Sequence, residues 1–202
     1  MKVTLKYRFD QNLGRVNNLA RIYASKLTPV AQGRKPLGST DILRAAVVFL
    51  HATVEEFLRG LLEWRLPEQS EAVLNLVPLV GSGSERAEKF LLGRLAAHRD
   101  KTVEALIRES VSGSLMRSNF NSVAEVVSTL ASVGLDKTPC EPFFAELTAL
   151  MERRHQIVHR ADRNPQHGQG HHQVSSIGRH HVQEWAGACQ KFFDAVYAQL
   201  PD

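Results

Sequence analysis

The chain is predicted to be all-α, a single domain of about six or seven helices. Three observations predict it. Apolar residues recur at helical spacing almost throughout. Helix caps and breakers punctuate those runs. Strand-like alternation is confined to "VTLKYRF" at residues 3–9. The 202 residues are 43% hydrophobic and 23% charged, with the two signs interspersed for most of the length. That is ample for one core and excludes a disordered chain.

The elements follow in order. A first helix is expected over residues 12–27, then a loop marked by Pro29, Gly33, Pro36 and Gly38. Ser39, Thr40 and Asp41 offer caps for the longest helix, which runs to Arg65 and is ended by Pro67. Leu43, Val47, Leu50, Val54, Phe57, Leu58 and Leu61 form its buried stripe. His51, Glu55, Arg59 and Glu63 mark the opposite edge at i, i+4 spacing and read as a solvated ladder of ion pairs. Glu56 lies closer to the apolar stripe.

A shorter helix is expected over 70–79. "GSGS" at 81–84 is a turn, and no Gly-Lys-Ser/Thr follows to make it a phosphate-binding loop. Helices are expected over 85–97 and 101–116. Asn121 and Ser122 cap a helix over 123–133, closed by Gly134. Pro142 suits the first turn of a helix carrying Phe143 to Arg160. Residues 164–176, rich in Gly, His and Gln, read as a loop, and a last helix runs over 177–200. No internal repeat is present. The expected organisation is a single domain over 1–202, with an N-terminal helix and loop (1–38) leading into a core bundle (39–202).

Composition narrows the function classes. The N-terminus has no apolar signal region, and no apolar run approaches a bilayer's thickness. The expectation is a cytoplasmic protein without membrane contact. Cys140 and Cys189 have no metal-binding spacing and read as buried thiols. The net charge is +4, concentrated late in the chain. Residues 150–181 hold five arginines against Glu152 and Asp162, with seven of the nine histidines. A local basic surface favours polyanions such as nucleic acid; a solvated basic face is the plainer alternative.

Within that segment "ERRHQIVHRADRN", residues 152–164, carries four arginines and two histidines. Projected at about 100° per residue, Phe143, Leu147, Leu150, Met151, Ile157 and Val158 form one apolar arc. Arg154 falls near its centre. Arg153 and Arg160 fall to one side as surface residues, and His155 and His159 to the other, one turn apart. An arginine facing apolar neighbours keeps its charge and must meet an anion. Two anions suit it: a carboxylate of another helix, Glu56 or Glu55, or a bound phosphate. His155 and His159 also have the spacing of two metal ligands on a helix face, but no H-E-x-x-H pattern completes it.

Arg154-His155-Gln156-Ile157-Val158-His159 is an arginine, a polar residue, a short spacer and a histidine. It resembles the signature of the HEPN superfamily (higher eukaryotes and prokaryotes nucleotide-binding). "RRHQIVHR" resembles most the branch associated with RNA-ligase and phosphatase-like systems. "VVFLHATVEEFLRGLL", "SNFNSVAEVVSTLASVGL" and the last helix around Trp185 are similar to that family's layout from about Asp41 onward. The resemblance implies a HEPN-type helical bundle and a metal-independent endoribonuclease, needing no cofactor and no metal. It implies a homodimer in which two copies of the motif face each other across an RNA-binding cleft. Arg154 and His159 would be catalytic, with His155, Arg160, Arg163 and Glu56 supporting them or binding RNA.

The chemistry is self-consistent. The RNA 2′-hydroxyl is the nucleophile, a histidine moves protons near neutrality, and a guanidinium stabilises the charged phosphorane. The implied setting is a prokaryotic toxin or defence system, with an antitoxin or other protein as a possible partner. The alternative is a non-catalytic HEPN-like module that binds RNA, a nucleotide or a protein. One geometric tension remains. Five residues apart, Arg154 and His159 diverge by roughly 140° on an ideal helix, so they converge only by sideways reach, a loosened helix end, or sharing between protomers.

Overall fold

The computed structural model describes residues 1–27, 37–80, 92–116, 118–163 and 174–202. Among them are seven α-helices: α1 (Lys2–Ile22), α2 (Leu37–Arg65), α3 (Glu71–Leu74), α4 (Val103–Leu115), α5 (Val123–Ser132), α6 (Phe144–Arg160) and α7 (Arg179–Tyr197). No strand occurs among the described residues; Arg163 and Val174 form an isolated antiparallel bridge. Among the described residues no helix is long and apolar enough to cross a membrane.

The N-terminal alternation is helical, not extended. Leu5, Phe9, Leu13, Val16 and Ala20 recur one turn apart and are buried, so they satisfy the 3.6-residue period. Val3 and Tyr7, the residues that completed the apparent alternation, are 77% and 64% exposed. The helix therefore begins at Lys2 rather than at Asn12, and a π-helical turn, Tyr23–Leu27, follows it. Helix α1 lies close against α2 at Gly60, where an added Cβ would stand 2.7 Å from the Leu5 side chain. Phe9 stacks on Phe193 of α7 at 4.1 Å between centroids, and Phe57 of α2 meets Phe193 edge-on at 4.8 Å. These three helices are thus joined by an aromatic centre. Lys2 also donates to the Leu200 carbonyl at 2.7 Å, tying the two ends of the chain together.

Several boundaries differ from the expectation. Of the helix expected over 70–79, only α3 forms. The described part of the one expected over 85–97 is a 3₁₀ segment, Leu92–His98. Pro142 lies inside a 3₁₀ turn, Thr138–Phe143, that leads into α6. Helix α5 begins with a full capping box between Ser122 and Glu125. It closes at Gly134, whose φ of +72° a side chain would oppose. Helix α2 begins at Leu37, so Gly38 and the expected caps Ser39, Thr40 and Asp41 lie within it; the rest of the expected loop, the "GSGS" turn and most of the Gly/His/Gln-rich stretch lie outside the described residues. Both cysteines are free and buried. Burial raises the Cys140 thiol to about 11 and the Cys189 thiol to about 12, so neither is poised as a nucleophile.

Candidate functional site on helix α6

Helix α6 runs out of the core. Leu147, Leu150 and Met151 are buried, Arg154 on the same face is half-buried, and Val158, one further turn along, is 47% exposed. The apolar arc read from the sequence is therefore continuous as a pattern but emerges from the protein at Arg154. That position resolves the apparent conflict of a cation in an apolar stripe. The aliphatic stem covers the last of the core while the guanidinium reaches its rim. Its Nη1 donates to Asn121 Oδ1 at 3.4 Å, a long contact.

The segment that carries Asn121 is held by α2. Arg59 donates to the carbonyls of Leu115 and Ser118 and lies over the Phe120 ring. His51 is 1% exposed; its Nε2 meets the Phe120 carbonyl at 3.2 Å and its Nδ1 lies 3.5 Å from the Glu55 carboxylate. The expected solvated ladder is thus a clasp on the backbone leading to Asn121, and only Glu63 of the four is exposed. Its polar groups are directed at main-chain carbonyls distant in sequence, which a single-helix projection cannot show.

Burial alone would raise the Glu55 carboxyl. The approach of the His51 ring, the charge of Arg154 and the Phe120 backbone outweigh it and hold the group below the ordinary 4.5. Glu55 thus shares its electrostatic environment with Arg154 without an ion pair to it. Its contribution to stability is present above the unfolded-state value and is lost as the pH falls through the lower folded-state value. Glu55→Gln should accordingly be less stable than wild type at neutral pH and show a flatter acid limb. Urea midpoints taken from neutrality down through the carboxylate range check this, and parallel curves for the two proteins would contradict it. Glu56 points elsewhere, pairing with Arg8 of α1 at 3.5 Å.

His155 and His159 are exposed and face each other one turn apart, with ring centroids 4.7 Å from one another. Arg160 and Arg163 are exposed at the helix end and just beyond it. His155 and Arg160 line a pocket of about 280 Å³ with Asn121, Met151, Glu152 and Gln156. No hydrogen bond among the described residues joins Arg154 to His159: the first reaches Asn121 at the rim of the core and the second stays on the outer face. No group of three or more His, Cys, Asp or Glu among the described residues is placed to hold a metal ion.

The helix end is fixed from beneath. Ala161 and Asp162 both adopt positive φ, +47° and +57°, a conformation that aspartate tolerates better than alanine does. This turn folds the Asp162 carboxylate under α6, where it is 1% exposed. Its Oδ2 accepts from Arg44 Nε at 2.7 Å and Arg153 Nη2 at 2.8 Å. The same two arginines donate to the Ser175 carbonyl, each at 3.0 Å, and Ser175 N–H donates to the Asp162 carbonyl. Arg153 is therefore not the ordinary surface residue expected from the projection. Burial pulls its guanidinium below the usual range against the opposing charge of Asp162, and Arg44 adds to the lowering. The start of α2, the end of α6 and the approach to α7 meet at this one carboxylate. Neither Arg44 nor Asp162 is signalled as a pair by the sequence, since 118 positions separate them.

A family model described as RiboL-PSP-HEPN matches residues 10–202. The chain belongs to this HEPN family. Searches of curated proteins and of solved structures return no match. The match spans the described parts of α2 through α7 and all but the first turns of α1, so in this HEPN protein the first helix is part of the family pattern. The all-α HEPN assignment made from the motif and its layout agrees with the family match. The sequence marks Asn121 only as a cap and does not reveal its contact with Arg154. The available signal was its position in "SNFNSVAEVV", next to the capping serine.

Proposed function

We propose that this HEPN protein is a metal-independent endoribonuclease. The observation that carries the reading is the divided polarity of α6: Arg154 at the rim of the core, His155 and His159 paired on the exposed face, and Arg160 at the helix end. His159 takes the proton from the RNA 2′-hydroxyl as its oxygen attacks the adjacent phosphorus. Arg154 stabilises the charge on the phosphorane. The bond from phosphorus to the 5′-oxygen breaks, and that oxygen receives a proton, for which His155 is the neighbouring donor. Arg160 and Arg163 hold flanking phosphates. The products are a 2′,3′-cyclic phosphate and a 5′-hydroxyl.

The reach of Arg154 towards Asn121 and the outward face of His159 support a centre shared by two chains. The exposed Val158 lies between them on the face a second copy would cover. The family resemblance supports a role as a prokaryotic toxin or defence effector, opposed by an antitoxin. The same separation of Arg154 from His159 is what a non-catalytic RNA-binding module would show, so the test must separate the two. Labelled RNA incubated with purified protein and excess EDTA should yield cyclic-phosphate and 5′-hydroxyl ends, and substrate lacking the 2′-hydroxyl should survive. Binding without cleavage would favour the module; 5′-phosphate ends, or activity lost to chelator and restored by a divalent ion, would favour a metal nuclease.

A further inference from the structure

A second cavity adjoins the α6 pocket across Asn121. It is an open depression of about 430 Å³ between α2, the segment leading to Asn121, and α5, within the range of about 300–1,000 Å³ usual for small-ligand sites. Leu62 and the buried Phe120 give it an apolar floor. Asn119, Asn121, Ser128 and Thr129 provide amide and hydroxyl groups around it. The side chains of Asn119 and Ser128 make no hydrogen bond among the described residues and are exposed, so both can bond an occupant.

Among the described lining residues the one charged side chain, Glu125, disfavours phosphate. Glu125 already accepts from the backbone N–H groups of Asn121 and Ser122, at 2.6 and 2.9 Å. It therefore also closes the N-terminus of α5 to anions. An occupant here is neutral, flat enough to lie on an apolar floor, and rich in hydrogen-bonding edges.

We infer that this cavity is the base-binding subsite for the nucleotide next to the cleaved bond. The inference rests on the ribonuclease reading of α6. Asn121 belongs to both pockets and touches Arg154, so a strand crossing Asn121 places its phosphate beside α6 and turns an adjacent base into the second cavity. Splayed bases of single-stranded RNA are read in this way, by hydrogen bonds to their edges and contact with their faces. Asn119 and Ser128 set which base is preferred.

Cleavage sites of wild type, Asn119→Ala and Ser128→Trp are to be mapped on one RNA pool of randomised sequence. Both substituted residues are exposed, and thermal unfolding checks that the variants fold. Wild type should favour one base beside the scissile bond, and each variant should lose that preference by about tenfold, the worth of one well-made base contact. The tryptophan, which fills the cavity, should also raise KM. Identical site distributions in all three proteins would overturn the subsite while leaving the ribonuclease reading intact. Should wild type not cut, binding of a fluorescent oligonucleotide with 2′-deoxy sugars decides separately. Weakening by about tenfold in Ser128→Trp would retain the base subsite after the ribonuclease reading had failed, and equal binding would overturn it.

Discussion

His159→Ala is expected to lower RNA cleavage by about a hundredfold to ten-thousandfold, the range for removing a general acid or base. The fold should be unaffected, because the side chain is exposed and its described contact is the neighbouring ring of His155. Arg154→Ala should cost about a hundredfold to a thousandfold, as loss of a transition-state charge partner does. Arg154→Lys should recover only part of that, since an ammonium lacks the two-pronged donor geometry suited to phosphate. Initial rates on a defined RNA, with melting curves for each variant, measure both effects. Wild-type rates in the two alanine variants would remove α6 as the catalytic element.

The second large effect concerns stability. Asp162→Ala would leave Arg153 without its carboxylate and Arg44 with only the largely exposed Asp41, at 3.1 Å, although both arginine side chains are about nine-tenths buried. Removing one member of a buried ionic cluster costs about 3–5 kcal/mol, against a total of about 5–15 kcal/mol for a domain of ordinary stability. Asp162→Asn, which keeps the shape and one acceptor, should cost less. Combining Asp162→Ala with Arg44→Ala should cost less than the two single losses added, because the first substitution has already removed what the second would break. Urea unfolding of wild type and the four variants, Arg44→Ala among them, checks this. An Asp162→Ala variant as stable as wild type would show the cluster to be dispensable.

These two residues also mark how far the sequence could be read. The all-α class was legible because buried residues recur one turn apart, as with Leu5, Phe9, Leu13 and Val16. The same residues misled at the N-terminus, where Val3 and Tyr7 happened to alternate with them. Arg154 was legible as a cation in an apolar stripe, since both facts lie within one helix. That the stripe leaves the core at that point was not, because a helical projection carries no information on where neighbouring helices end. His51 and Glu55 looked solvated for the same reason: what buries them is Phe120, more than sixty positions away. Asp162 looked like one more surface charge in a basic segment, and only the left-handed turn at Ala161 and Asp162 brings it beneath the helix.

The proposed centre requires Arg154 and His159 to act together although they diverge on one helix, and mixing two inactive variants tests that directly. Arg154→Ala and His159→Ala proteins are unfolded together, refolded as a mixture, and assayed on labelled RNA in EDTA. If each centre takes Arg154 from one chain and His159 from its partner, a mixed dimer holds one complete centre of two. With random pairing half the dimers are mixed, so about one quarter of wild-type activity should return. A mixture as inactive as either variant alone, from proteins shown by sedimentation to have exchanged subunits, would contradict a centre shared between chains.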